Sequence, residues 1–149
     1  MTNLDLPGIL LAEDDPNDAE LTLEALATHN LANSVTVVND GVLALQYLRR
    51  EGKFADRVPG DPAVILLDIK MPRKDGLEVL REIRADPALK LLPVVILTSS
   101  REQQDVITSY HLGANAYVVK PVDFPSFIDA VGQVGAFWAI INERPPLNT

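Results

Sequence analysis

Cysteine is absent from the chain, so neither a disulfide framework nor a thiolate metal site can form, and nothing points to an oxidising compartment. Basic residues are missing from the whole first third. No Lys or Arg precedes Arg49, whereas that stretch carries Asp5, Glu13, Asp14, Asp15, Asp18, Glu20, Glu24 and Asp40. From Arg49 onward acids and bases balance, so the net charge of −8 is an N-terminal property. Such a field disfavours nucleic acid, whose binding is driven by neutralising phosphates with basic patches, and favours a cation or a basic protein partner. No apolar run approaches the roughly 20 residues that span a bilayer, and Met1-Thr2-Asn3-Leu4-Asp5 lacks the positive start and apolar core of a secretory signal. No membrane association and a cytoplasmic location are therefore expected. No Gly-rich phosphate loop or Walker-type lysine motif follows any apolar run, and neither His29 nor His111 has a companion at metal-ligand spacing. At 149 residues the chain has the length of one ordinary domain, and a separate output domain is not expected.

What is present is a set of short apolar runs that end on functional groups. Ile9-Leu10-Leu11-Ala12 stops on Glu13-Asp14, Val64-Ile65-Leu66-Leu67 on Asp68, Val94-Val95-Ile96-Leu97 on Thr98, and Tyr117-Val118-Val119 on Lys120-Pro121. Runs of this length alternating with helical patterns read as strands of a parallel sheet buried on both faces. Between them, Asp15-Pro16 opens a helix that carries Ala19, Leu23 and Leu26 inward and runs to about Thr28. Val35 to Val38 is a strand, Gly41 to Arg50 a helix with Leu45 and Leu48 inward, and a third helix carries Leu77, Val79, Leu80 and Ile83 until Asp86-Pro87 stops it. Ser100 and Gln103 have capping-box spacing for a helix closed by Gly113, and Asp123 caps a final helix to about Ile141. Five βα units with short connections predict a doubly wound α/β sandwich with right-handed crossovers. The exception is the polar stretch Glu51 to Pro62, read as a solvated surface loop, with a partner contact as the alternative.

In such sheets ligands bind outside the carboxyl ends of the strands. The pattern thus gathers the carboxylates of Glu13, Asp14 and Asp68, the Thr98 hydroxyl and the Lys120 ammonium at one edge. Like-charged carboxylates a few Å apart do not all stay ionised cheaply without a cation between them. A hard divalent ion such as Mg²⁺ wants oxygen ligands, and the lysine balances a bound phosphoryl group. Taken alone, Glu13, Asp14 and Asp15 are equally an acidic helix-capping loop, and it is their combination with Asp68, Thr98 and Lys120 that favours a site.

Glu13-Asp14, Asp68 followed by Met71-Pro72 and Asp75-Gly76, Thr98-Ser99 and Lys120-Pro121 together resemble the motif set of response-regulator receiver domains of two-component signalling. The resemblance runs from about Gly8 to Ile141, with 1–7 and 142–149 as tails. It implies a flavodoxin-like, five-stranded parallel sheet of order 2-1-3-4-5. It implies Asp68 as phosphoacceptor, Asp14, Asp68 and the main-chain carbonyl of Lys70 as ligands of Mg²⁺ (Mn²⁺ as substitute), and Glu13 acting through water. It further implies Thr98 and Lys120 on the phosphoryl oxygens, a cis Lys120-Pro121 bond, and Thr98 with Tyr117 as the switch pair. The lifetime-tuning positions, two past the phosphoacceptor and two past the threonine, are Lys70 and Ser100; neither suits orienting an attacking water, so slow self-dephosphorylation is expected.

Gly52-Lys53-Phe54-Ala55-Asp56, Pro72-Arg73-Lys74-Asp75-Gly76 and the Phe137-Trp138 ending also resemble the stand-alone regulators paired with bacterial and cyanobacterial phytochromes. A sensor histidine kinase of bacteriophytochrome type is therefore the expected phosphodonor. Ala130 to Ile141 holds one polar residue, Gln133, and a helix apolar all round is buried on both sides. Homodimerisation through Val134, Phe137, Trp138 and Ile141 is expected. Output by protein contact follows, since no helix-turn-helix or basic recognition element is present. Two other classes fit less of the pattern. A Mg²⁺-dependent phosphohydrolase with Asp68 as nucleophile expects a second acid where Lys70 stands, and a cofactor-binding or purely structural, phosphate-independent module of flavodoxin-like shape lacks a phosphate loop and sets three carboxylates where they would repel a flavin phosphate.

Overall fold

The apolar runs are the strands. A computed structural model describes residues 8–27, 35–99 and 108–133 of the chain. Strands β1 (Ile9–Ala12), β2 (Val35–Val38), β3 (Val64–Asp68), β4 (Val94–Thr98) and β5 (Ala116–Val119) form one parallel sheet in the order β2-β1-β3-β4-β5. The helices are α1 (Pro16–Ala27), α2 (Gly41–Arg49), α3 (Gly76–Ala85), α4 (108–111) and α5 (Phe124–Gln133). Chain order reverses at β1, between β2 and β3, which is where a doubly wound sheet opens a crevice.

Period-two alternation divides the strand residues between two cores. Leu11, Leu66, Leu97 and Val118 face α1 and α5, packing with Leu26, Phe127 and Ala130. Leu10, Ile65, Leu67 and Ile96 face α2 and α3, packing with Leu45, Leu48, Leu80 and Ile83. Burial on both faces explains why β1 and β3 read as unbroken apolar runs.

Helix starts follow the capping chemistry expected of them. The Asp15 carboxylate accepts from the N–H groups of Asn17 (2.8 Å) and Asp18 (3.2 Å), Asp40 from Leu43 (2.8 Å) and Asp123 from Ser126 (2.7 Å). Asp75 and Glu78 form a reciprocal capping box at α3. Gly113, at φ 104°, turns the chain after α4, and its N–H donates to the Tyr110 carbonyl. In α1 the inner position goes to Thr22, fully buried, while Leu23 is half-buried; the stripe runs 19, 22, 26 at helical spacing, and Leu23 lies at its border.

The stretch after α2 is a mostly exposed surface loop, as expected, and carries local order of its own. Gly52–Phe54 is a 3₁₀ turn whose Phe54 ring meets Tyr47 edge-on at 5.2 Å. The Arg57 guanidinium lies 4.2 Å from the centre of the Tyr47 ring and donates to the carbonyls of Tyr47, Val58 and Gly60. Arg84 does similar work where the chain enters β4 and β5. It donates to the carbonyls of Gly113, Lys90 and Leu92 and to Asn115 Oδ1, tying α3 to the segments that enter β4 and β5.

Two close approaches fix the segment after β3. A Cβ on Gly76 would stand 2.1 Å from the Asp68 carbonyl oxygen, and one on Gly41 2.0 Å from the Lys74 carbonyl oxygen. Both partners are backbone, so neither yields without moving the chain. Gly76→Ala should lower stability by about 2 kcal/mol or more, the range of overpacked positions, and displace the Asp68 main chain. Urea denaturation together with Mg²⁺ affinity checks this, and a variant with both unchanged would refute the close packing.

Candidate phosphoacceptor site

Strand parity decides which side chains meet. Leu11, Leu66 and Val118 all point to the α1 and α5 face, and two residues further along each chain the same parity delivers Glu13, Asp68 and Lys120. Glu13 extends the β1–β2 ladder by donating its N–H to the Val38 carbonyl (2.9 Å), so its side chain still obeys the strand's alternation. The three converge. Lys120 Nζ lies 2.8 Å from Glu13 Oε1 and 3.4 Å from Asp68 Oδ1. A fourth group joins from α1, where Asp18 Oδ2 stands 2.7 Å from the same ammonium. The Lys120-Pro121 peptide is cis.

Asp14, of opposite parity, is exposed at the rim. Carboxylate oxygens of Glu13, Asp14 and Asp68 all lie within 4.8 Å of one another. Beside them opens a cleft of about 590 Å³ lined by Asp14, Ile69, Lys70, Met71, Pro72, Asp75 and Leu77. Its far wall is the β3–α3 loop, closed at the neck by a Gly76 N–H to Ile69 carbonyl bond of 2.7 Å. The tip is held by Arg73, at φ 65°, whose guanidinium grips Asp40 Oδ2 at 2.8 Å. Asp40 thus caps α2 with one oxygen and anchors the loop with the other.

Electrostatics reflect the crowding. Burial, reinforced by the neighbouring Glu13 carboxylate and only partly offset by Lys120, pushes the Asp68 carboxyl up to about 7. For Lys120 burial acts to lower proton affinity, but hydrogen bonds to Asp18 and Glu13 and the charge of Asp68 prevail and raise it. A carboxylate that holds its proton near neutrality, in an all-oxygen cluster, is what a hard divalent cation relieves. The donor set therefore fits such an ion.

Of the residues singled out from sequence, Glu13, Asp14, Asp68 and Lys120 are brought together, and Lys70 lines the cleft with its side chain exposed. Thr98 closes β4, paired with Val119, but its side chain lies outside the described set. Tyr117 is half-buried and packs against the opposite core. Ser100, Val134, Phe137, Trp138 and Ile141 lie outside the described residues. Asp18 was not expected at the site. The available signal was helical spacing: Asp18 heads the stripe continued by Thr22 and Leu26, both buried, at the end of α1 nearest the strand termini.

Asp68 binds its proton more tightly in the fold than at its ordinary value of 3.8, so metal-free stability should fall as pH rises from that value through about 7. Asp68→Asn removes the charge. In EDTA at pH 8 it should be more stable than wild type by about 2 kcal/mol, with the gap closing toward pH 5. Urea denaturation at both pH values checks this; a destabilised variant at pH 8 would contradict the crowding argument.

The comparisons agree with this geometry. The family model for the response regulator receiver domain matches residues 9–132. Response regulator Rcp1 of Synechocystis is 38% identical over 130 residues, covering 87% of each chain. The crystal structure of its Mn²⁺-bound form, at 36% identity, covers 96% of this chain and 99% of that one with a TM-score of 0.71. The bacteriophytochrome response regulator AtBRR is 51% identical, with 97% and 99% of the two chains covered and a TM-score of 0.84. RtBRR, another bacteriophytochrome response regulator, is 57% identical, with 95% and 85% covered and a TM-score of 0.82. A five-stranded sheet of order β2-β1-β3-β4-β5 that collects Glu13, Asp14, Asp68 and Lys120 at its carboxyl edge is the receiver architecture, and the chain belongs to the response regulator receiver domain family.

Proposed function

We propose that the chain is a stand-alone phosphoryl-accepting switch, with residues 8–141 as the receiver unit and Asp68 as acceptor. The observation that carries this reading is the juxtaposition of the buried Asp68 carboxyl with the Lys120 ammonium and the Glu13–Asp14 pair. Phosphoryl transfer depends on in-line positioning and charge neutralisation more than on covalent help. An Asp68 oxygen attacks the phosphorus of a phosphohistidine, the P–N bond breaks, and the imidazole leaves with the electron pair. Lys120 offers N–H donors to the added oxygens, and Thr98 closes on them from the end of β4. Glu13, Asp14, Asp68 and the Lys70 carbonyl would hold Mg²⁺, or Mn²⁺ in its place, and that ion would neutralise charge on the transferring group. The Mn²⁺-bound form of Rcp1 supports a divalent cation. A later attack by water returns the carboxylate. Self-phosphorylation and self-dephosphorylation by water are then the only chemistry, and the match to a receiver family favours this over a phosphohydrolase, whose second acid is replaced by Lys70.

The donor we infer is a sensor histidine kinase of bacteriophytochrome type, a reading supported by the names of AtBRR and RtBRR. Signalling passes to a partner protein by contact, with Tyr117 and Thr98 redistributing between two packings. Among the described residues no helix is long and apolar enough to cross a membrane, consistent with a cytoplasmic pathway.

Incubation with Mg²⁺ and acetyl phosphate should add one phosphoryl group by intact mass, and Asp68→Asn or EDTA should abolish it. With Lys70 and Ser100 at the tuning positions, the adduct should persist for minutes or longer once the donor is removed. Absence of an adduct from both acetyl phosphate and a phosphorylated kinase would defeat the reading.

We also propose a homodimer through Val134, Phe137, Trp138 and Ile141, argued from the apolar sequence Ala130 to Ile141. Phe137→Ala combined with Trp138→Ala should sediment as a monomer where the wild type sediments as a dimer; equal masses would reject it.

A further inference from the structure

Resting on the receiver reading, we propose that Asp18 is a positioning residue that draws the Lys120 ammonium toward α1 and so limits how tightly the site takes up a phosphoryl group. An ammonium has three N–H donors. Here Asp18 Oδ2 at 2.7 Å and Glu13 Oε1 at 2.8 Å engage two of them at full hydrogen-bond length, while Asp68 Oδ1 stands off at 3.4 Å. The lysine is therefore held on the α1 side of the site, one short step from the carboxylate that receives the phosphoryl group.

The two holding contacts differ in how readily they release. The Glu13 side chain is 0% exposed, and parting it from Lys120 leaves a buried charge unpaired. The Asp18 side chain is 34% exposed, so water replaces the lysine there at little cost. The Asp18 backbone does not follow the ammonium, because its N–H donates to Asp15 Oδ1 in the first turn of α1 and Asp15 N–H is in turn bonded to Glu13 Oε2, which limits how far its short side chain reaches. When new negative charge arrives on Asp68, Lys120 moves toward it and gives up Asp18 while keeping Glu13. The strength of the Asp18 contact is subtracted from the strength with which the phosphoryl group is held.

The test uses beryllofluoride as phosphoryl mimic, titrated in the presence of Mg²⁺ and followed by ¹⁹F NMR on the full chain. Asp18→Asn, near-isosteric and uncharged, should bind it about three- to fivefold more tightly than wild type, the fold-change a part-exposed ion pair corresponds to. Asp18→Glu, which restores the charge, should return toward wild-type affinity. Glu24→Gln, an exposed acid on the same helix, should change nothing. A purely structural staple between α1 and the end of β5 predicts the reverse: loss of stability with unchanged or weaker beryllofluoride binding in both Asp18 variants. That result, with wild type binding normally, would overturn this inference alone. Failure of the wild-type chain to bind beryllofluoride at all would instead overturn the receiver reading, and this inference with it.

Discussion

Burying Glu13 and Asp68 side by side is tolerable only because one ammonium is shared between them. Glu13 is 2% exposed and Asp68 5%, in surroundings where an isolated carboxylate costs several kcal/mol. Lys120 reaches both, and its own burial is compensated by those contacts and by Asp18. The compensation is incomplete, since among the described residues Glu13, Asp18 and Asp68 share Lys120 and Asp68 still carries a strongly raised proton affinity. Much of the remaining architecture keeps this imbalance in place. Parallel pairing sets β1, β3 and β5 in a register that brings their carboxyl ends level, and a slip of one residue would turn Glu13, Asp68 or Lys120 to the opposite face.

The segment after β3 shows how the fold holds an awkward site still. Its neck is a backbone hydrogen bond, its exit a glycine pressed on the Asp68 carbonyl, and its tip an arginine in left-handed conformation tied to the helix cap Asp40. Each anchor belongs to a different element, so the loop is positioned by β3, α3 and the head of α2 together. Arg84 gives the opposite end of the sheet a comparable brace. The result is a rigid scaffold beneath a cleft whose rim, at Asp14 and Lys70, remains open to solvent.

The strands and their functional ends were legible in the sequence because burial on both faces writes itself as unbroken apolar runs, and the first polar residue after each run marks the edge. Helix starts at Asp15 and Asp123 were legible for an equally local reason, the preference of aspartate for free amides, and the caps at Asp40 and Asp75 follow the same chemistry. What escaped was the work of long basic side chains. Arg57 on Tyr47, Arg84 on four acceptors and Arg73 on Asp40 are contacts over sequence distance, and a flexible stem carries no local sign of where its head will dock. Asp18 escaped in the same way: one acid among many in the first helix, distinguished only by heading a buried stripe. Thr22 displaced Leu23 from the inner face because apolarity alone does not fix which of two adjacent positions a helix turns inward.

In the proposed switch, the imbalance that burdens the fold would supply the energy. A ligand moves a conformational equilibrium only by as much as it binds one state better than the other. A site with relaxed, satisfied charges would have little to offer such a difference, since adding a cation or a phosphoryl group would change few contacts. In the proposed function a cation would relieve carboxylate repulsion, and a phosphoryl group would then compete for an ammonium already shared by Glu13 and Asp18. Lys120 follows directly on β5, and the same strand carries Tyr117 toward the opposite core with Leu112 and Ala114. A shift of the lysine would therefore act on an element that faces both layers. On this reading the metal-free stability sacrificed at Asp68 is what makes the site responsive, and a chain with that charge neutralised would be steadier and insensitive to its signal.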